Sequence, residues 1–107
     1  MSKELLMVVD AVAHEKGVDE EVIVGALEAA LASAARKRYP DQEVEIRVQM
    51  DRETGDYETF RRWEVIADDA EMESPDFQLR LMDAVEEQPG IEVGEYIEEK
   101  IENAEYG

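Results

Sequence analysis

A run of strictly alternating apolar and polar residues near the middle of the chain limits the possible folds most. Its apolar members are Val44, Ile46, Val48 and Met50, and the polar residues between them are Glu45, Arg47 and Gln49. At the two-residue period of a β-strand this gives one apolar and one charged face, so residues 44–50 are predicted to form a half-buried strand. Residues 51–56 are polar and contain Gly55, which adopts a left-handed conformation freely, so the chain is predicted to reverse there in a hairpin.

The predicted return strand, residues 57–66, is rich in aromatic and β-branched residues, but its apolar side chains fall on both faces. Tyr57, Trp63 and Val65 share one face, while Phe60 and Ile66 share the other. The pattern therefore leaves the hairpin register open. Because an isolated hairpin is only marginally stable in water, it must pack against another element.

Two helices are predicted before the hairpin, over residues 3–16 and 20–37. The first has an apolar stripe at helical spacing, made of Leu5, Leu6, Val9, Val12 and Ala13. The stripe of the second is narrower and consists of Ile23, Ala26, Leu27, Ala30, Leu31 and Ala34. Asp19 is placed to cap the second helix. We expect Leu27 and Leu31 to be buried against the hairpin.

The chain after the hairpin is less clearly patterned. Residues 67–73 are acidic and aperiodic, and are predicted to be a solvated connection. Residues 74–76 resemble a helix start, whereas the alternation of Phe77, Leu79 and Leu81 also allows a short strand that leads into a helix. Residues 94–106 fit either period, but the Pro-Gly step before them favours an added strand. The predicted fold class is α+β, with two N-terminal helices packed on a small, mostly antiparallel sheet built around the hairpin, and a further short helix.

Length and composition limit the class of protein. The 107 residues suffice for one compact domain and are too few for two ordinary ones, so residues 1–107 are predicted to be a single domain. The chain has no cysteine and no run approaching eighteen apolar residues, and its first residues lack the order of a secretory signal. We therefore expect a cytoplasmic protein that does not enter membranes, and a monomer.

The net charge of −18 is distributed unevenly. Residues 36–62 carry seven acidic and seven basic side chains, while residues 63–107 carry fifteen acidic and two basic ones. Five of the central basic residues are candidates for contact with a partner: Arg36, Lys37, Arg38, Arg61 and Arg62. The first three end the second predicted helix, where cations also offset the exposed carbonyl groups without any partner.

The sequence contains none of the patterns that signal an enzyme or a bound metal. It has no nucleophile elbow, no glycine-rich phosphate loop and no zinc-ligand spacing, and its single histidine, His14, has no second ligand near it. Acidic residues such as Asp68 and Asp69 favour a hard cation in principle, but nothing places them in a coordinating loop. We therefore predict no enzyme activity, no metal site and no cofactor.

Several motifs, taken in their order along the chain, resemble one family. They are Ala26-Leu-Glu-Ala-Ala-Leu31, Arg36-Lys-Arg-Tyr39, Val48-Gln-Met-Asp-Arg-Glu-Thr-Gly-Asp56 and Phe60-Arg-Arg-Trp63, preceded by an N-terminal Lys-Glu-Leu-Leu. In this order they resemble the N-terminal domain of the bacterial transcription elongation and termination factor NusA, over nearly the whole chain.

This resemblance implies a domain that docks on RNA polymerase, at the flap of the β subunit beside the RNA exit channel. There it would promote pausing, termination and antitermination, and RNA-binding S1 and KH domains would follow it. The resemblance implies that nascent RNA is contacted weakly, or only in the full-length protein. The alternative is an acidic protein–protein adaptor without RNA contact. One shared patch formed by the five basic candidates would favour the first function, and pairing with neighbouring glutamates would favour the second.

Overall fold

The computed structural model describes residues 2–103, within which three helices and four strands are formed. They are α1 (Ser2–Lys16), α2 (Glu20–Arg36), β1 (Glu45–Met50), β2 (Tyr57–Ile66), β3 (Gln78–Arg80), α3 (Leu81–Glu87) and β4 (Tyr96–Ile101). The fold class is α+β, as predicted, and the added last strand is confirmed. The predicted continuation of that strand into residues 104–106 lies outside the described residues.

Strand β2 is the centre of the sheet. β1 and β4 both pair antiparallel with it, and Glu45 lies opposite Arg62 in the β1 register. β3 is parallel to β2 and pairs with its last three residues, beginning with Gln78 opposite Glu64. Since Glu64 also pairs with Tyr96 of β4, β3 must lie on the β1 side of β2. The sheet is therefore mixed but mostly antiparallel, with β1 and β3 end to end along one side of β2.

The main core forms between α2 and β1. Its buried members are Leu31, Ala32, Ala35, Val44, Ile46 and Val48. The alternation in β1 and the burial of Leu31 are confirmed, but Leu27 is only partly buried and Ala26 and Ala30 are exposed. The buried face of α2 instead contains Val24, Leu31, Ala32 and Ala35. Alanines flank the predicted stripe on both sides, so helical periodicity could not define which edge faces the core.

Helix α1 packs on α2 and on the loop end of the hairpin. Leu5 and Val9 form a buried cluster with Val24 of α2 and Met50 of β1. Asp19 occupies the predicted N-cap position of α2, but its side chain makes no cap hydrogen bond. The two N-terminal helices therefore share one layer, in which α2 makes the main contact with the sheet.

The hairpin loop is held by its own backbone and by α2. Gly55 has φ of 79°, which confirms the predicted left-handed glycine, and its N–H donates to the Asp51 carbonyl at 2.8 Å. The Arg52 guanidinium forms ion pairs with Glu20, at 2.9 Å, and with Glu21. The acidic first turn of α2 therefore fixes the position of the loop as well as complementing the helix dipole.

A smaller core covers the other end of β2. Its buried members are Val65, Ala84, Ile91 and Ile97. Of the two alternatives for the segment after residue 73, the short strand that leads into a helix is confirmed, because α3 begins at Leu81 after β3 and not at residues 74–76. The Ser74 hydroxyl accepts a hydrogen bond from the Asp76 N–H at 3.1 Å, and the Phe77 carbonyl accepts one from the Glu64 N–H at 2.8 Å. The serine thus stabilises a local turn, and the chain then extends along β2 before it becomes helical.

Candidate protein and nucleic-acid contact surface

The end of α2 presents three consecutive cations to solvent. Arg36 closes the helix, Lys37 is its C-cap residue, and Arg38 follows, and all three are exposed. The Arg38 Nη2 donates to the Glu102 carbonyl, so this guanidinium holds the end of β4. Within residues 2–103, Arg36 and Lys37 have neither an ion pair nor a side-chain hydrogen bond. These two cations are therefore available to a partner.

Arg61 lies on the helix-covered face of the sheet and is held within the domain. Its Cζ atom is 5.2 Å from the centroid of the Tyr39 ring and 4.7 Å from that of Trp63. Its Nη2 donates to the Asp76 carbonyl at 3.2 Å. The guanidinium therefore joins the segment after α2 to β2 and to the turn before β3, and it is a structural contact more than a surface cation.

Arg62 projects from the opposite face, as the period of a strand predicts. Its Cζ atom is 3.5 Å from the centroid of the Tyr96 ring, and its Nε is 3.5 Å from Glu98 Oε2. The Nε atoms of both Arg61 and Arg62 are buried and have no hydrogen-bond partner among the described residues. The five basic candidates consequently do not form one patch. Two are free, one holds the end of β4, and two lie on opposite faces of the sheet.

Sequence reasoning missed the charged cluster on the open face of the sheet. Arg47 forms two hydrogen bonds with the Glu98 carboxylate, at 2.7 and 2.9 Å, and its Cζ atom lies 4.6 Å from the centroid of the Phe60 ring. The hydrogen bond from Arg47 lowers the pKa of Glu98 below its usual value, and the same contact raises the pKa of Arg47. The alternation in β1 showed that Arg47 points outward, but its partner depended on the unknown register of β4.

Apolar side chains are exposed in two parts of the domain. Met7, Val8, Val18 and Val22 are exposed on α1, on the loop after it and in the first turn of α2. Met82, Val85 and Val93 are exposed on α3 and on the segment before β4, among acidic side chains. Contiguous exposed apolar patches mark protein contact surfaces, so these side chains are the candidates for contact with a partner protein.

The described residues do not contain a group of three or more histidine, cysteine or carboxylate side chains arranged to hold a metal ion. Within the same residues, none of the helices is both long enough and apolar enough to cross a lipid bilayer.

Comparisons with known proteins by sequence and by structure point to the same family. The family model of the NusA N-terminal domain matches residues 4–107. The transcription termination/antitermination proteins NusA of Rickettsia conorii and Rickettsia prowazekii are 32% and 33% identical over 96 residues. Each match covers 90% of this chain and 18% of the relative, so the chain spans less than a fifth of their length. The solution structure of the N-terminal domain of NusA from Bacillus subtilis matches with a TM-score of 0.71 and 31% identity, over 95% of this chain and 79% of that one.

The fold and the surface define a small α+β domain with exposed apolar groups at two places and a pair of free cations at a helix end. The chain belongs to the NusA N-terminal domain family.

Proposed function

We propose that this domain binds RNA polymerase and regulates transcription as the N-terminal part of a NusA-type factor. It docks on the flap of the β subunit near the RNA exit channel and promotes pausing, termination and antitermination. The observation that carries the proposal is the family match over residues 4–107. It is supported by the relatives, which are named as transcription termination/antitermination proteins.

Docking on the polymerase uses the exposed apolar side chains. Apolar and shape contacts supply affinity that does not depend on counterion release, which suits an acidic domain. The test is calorimetric titration of residues 1–107 with isolated β-flap, at low and at physiological salt. Wild-type protein should bind at both, and Met7→Lys on α1 or Met82→Lys on α3 should weaken binding. Absence of flap binding, or full binding by both variants, would contradict the docking model.

Contact with nascent RNA depends on Arg36 and Lys37 and on the rest of the protein. A few phosphate contacts cannot offset a net charge of −18, so residues 1–107 alone should bind free RNA weakly at physiological salt. In a full-length protein that carries this domain, the free cations face RNA beside the exit channel. Arg36→Glu combined with Lys37→Glu should therefore reduce stimulation of pausing in a single-round transcription assay.

The matched control reverses two other exposed cations, with Lys16→Glu at the end of α1 and Lys100→Glu on β4, away from Met7 and Met82. It changes net charge equally but leaves the end of α2 intact, so pausing should stay near the wild-type level. Equal loss in both variants would attribute the effect to net charge. Undiminished pausing by a folded helix-end variant would disprove the RNA-facing role.

A second function, an acidic adaptor without RNA contact, is favoured by one observation. Arg47 and Arg62 both meet Glu98, so much of the central basic charge is neutralised within the domain. The two functions differ in a measurable way: an adaptor would bind the flap normally while the helix-end reversal left pausing unchanged.

A further inference from the structure

Strand β4 is an edge of the sheet, because among the described residues it pairs with β2 alone. In an antiparallel pair, alternate residues direct both backbone groups toward the partner strand or away from it. The Val65 N–H donates to the Glu95 carbonyl on the β4 side, whereas the Glu64 N–H donates to the Phe77 carbonyl on the other side. The odd-numbered residues of β2 therefore face β4, and the register turns the even-numbered residues of β4 outward. They are Tyr96, Glu98 and Lys100.

The outward backbone groups of these three residues are unpaired and open to solvent. Their N–H and carbonyl groups have no hydrogen-bond partner within residues 2–103. The Glu98 side chain is only 25% exposed although the residue as a whole is exposed, so its backbone is accessible. The next outward carbonyl, that of Glu102, already accepts a hydrogen bond from Arg38 Nη2. The β4 edge, defined as these three residues, therefore offers the donors and acceptors that an added strand requires.

The side chains of the same three residues do not obstruct the β4 edge. Each is held over the open face of the sheet by a contact with β1 or β2. The pairs are Tyr96 with Arg62, Glu98 with Arg47, and Lys100 with Glu58. Natural edge strands are commonly blocked by a proline, a bulge or a lysine that extends over the edge. Residues 96–101 contain no proline, and their one lysine is turned inward.

The other long edge of the sheet, formed by β1, is protected. By the same alternation its outward residues are Ile46, Val48 and Met50, and all three are buried against α1 or α2. The Met50 N–H also donates to Glu28 Oε2 of α2 at 2.9 Å. The domain thus covers one edge with a helix and a side-chain acceptor, whereas the described residues leave the β4 edge uncovered.

We propose that the β4 edge binds an extended, basic segment of a partner protein, which adds a fifth strand to the four-stranded sheet. Backbone hydrogen bonds supply affinity, and charge selects the partner. Glu99 of β4 is exposed and forms no ion pair with the other described residues, and residues 63–107 carry fifteen acidic and two basic side chains. A second copy of this chain is disfavoured, because each copy has a net charge of −18. The β4 edge takes no part in the flap and RNA contacts proposed above.

The experiment is amide hydrogen exchange of the 107-residue protein, followed by NMR, with a capped peptide of alternating lysine and valine. In the free protein the N–H groups of the β4 edge should exchange faster than those of Ile97 and Glu99, which face β2. The peptide should slow exchange at the β4 edge selectively. Unchanged exchange there, or slowing spread evenly over all acidic segments, would overturn the proposal. Dimers of the protein in sedimentation, with the β4 edge protected before peptide is added, would assign the edge to a second copy instead.

Two further peptides separate backbone pairing from charge. N-methylation of two consecutive central residues removes one donor from each edge of the lysine–valine peptide and keeps its charge. It should lower the affinity by roughly tenfold, the scale of a lost hydrogen bond that leaves its acceptor unpaired. A peptide of alternating glutamate and valine keeps the backbone and reverses the charge, and should bind at least tenfold more weakly. Equal affinity of the methylated peptide would exclude strand addition, and equal affinity of the acidic peptide would exclude a basic partner.

A matched pair of protein variants tests the same edge from the other side. Lys100→Pro removes one outward N–H and leaves the hydrogen bonds to β2 in place, since proline is tolerated where the N–H of an edge strand faces solvent. Lys100→Gln removes the same charge and keeps the N–H. The proline variant should bind the lysine–valine peptide roughly tenfold more weakly than the glutamine variant. Equal binding by the two would overturn the proposal, and the methylated peptide tests the same bonds in the unaltered protein.

Discussion

Arg47 and Glu98 lie on β1 and β4, two strands that pair with β2 and meet across it. The two hydrogen bonds between them therefore tie the three strands together on the open face of the sheet. Arg47 also covers Phe60, and Arg62 shares the Glu98 carboxylate. Glu98 thus takes part in most of the polar contacts on this face. Removal of its charge should therefore weaken the association of all three strands.

The first prediction concerns the dependence of stability on pH. The pKa of Glu98 is lowered in the folded protein, so its ion pair stabilises the fold above the usual carboxyl value of 4.5 and is lost as the pH falls below it. Glu98→Gln should therefore lower the unfolding midpoint in urea at pH 7, and its deficit relative to wild type should shrink as the pH falls below 4.5.

The matched control for this prediction is Glu99→Gln, an exposed neighbour on β4 that forms no ion pair with the other described residues. Its difference from wild type should stay small at every pH. A deficit of the Glu98 variant that is constant with pH would mean that the lost contact is not electrostatic.

The second prediction concerns Leu31 in the core between α2 and β1. Its side chain is 5% exposed, so Leu31→Ala removes buried apolar atoms and leaves a cavity. The free energy of unfolding should fall by about 2–5 kcal/mol in a urea titration. The control Val22→Ala shortens a side chain that is 58% exposed and should cost less than about 0.5 kcal/mol. Similar costs for the two would show that Leu31 does not face the core.

The candidate site was predictable only as far as local geometry determines it. The strand period placed Arg61 and Arg62 on opposite faces, and the helix end placed Arg36 and Lys37 together, and both are observed. The partners of these residues come from distant segments: Tyr39 and Asp76 for Arg61, and Tyr96 and Glu98 for Arg62. Such contacts depend on register and topology, which a pattern along one segment does not define.

At the scale of elements, hydrophobic period and turn residues were enough to predict the helices and the hairpin. They were not enough to predict the structure of the region after β2. The β1 alternation is unambiguous because helix α2 packs on one face of the strand and solvent covers the other. β3 has only three residues, and its apolar spacing suits a strand or a helix equally, so tertiary pairing with β2 decided its conformation. The predicted stripe of α2 was right for Leu31 and wrong for Ala26 and Ala30, because alanine suits a buried and an exposed helix position equally.

The third prediction uses two glycines in different elements. Gly55 has φ of 79° in the hairpin loop, so Gly55→Ala places a Cβ in the left-handed region and should cost about 1–2 kcal/mol. Gly25 is exposed to solvent in the middle of α2, and an added Cβ meets no atom within 4 Å. Gly25→Ala should therefore stabilise the protein by roughly 0.5–1 kcal/mol. Thermal unfolding of the two variants should shift in opposite directions, and equal signs would contradict the assigned backbone conformations.

At the scale of the whole molecule, the excess of negative charge destabilises the compact fold. Of the 29 acidic residues, fifteen follow Arg62, where two basic residues accompany them. Residues 63–103 of this region form the end of β2, β3, α3, β4 and their connections around a small core of Val65, Ala84, Ile91 and Ile97. Mutual repulsion of the carboxylates therefore opposes compaction in a region whose apolar core is small.

The last prediction follows from this balance. The Debye length falls from about 30 Å at 0.01 M salt to about 10 Å at 0.1 M, which screens repulsion between exposed carboxylates. Added NaCl should therefore raise the unfolding midpoint of the wild-type domain, although it weakens exposed ion pairs such as Arg52 with Glu20. Glu86→Gln combined with Glu87→Gln should raise the midpoint at low salt and reduce the further gain from NaCl, because both act on the same repulsion. A midpoint that falls with NaCl would show that attractive ion pairs outweigh the net charge of −18.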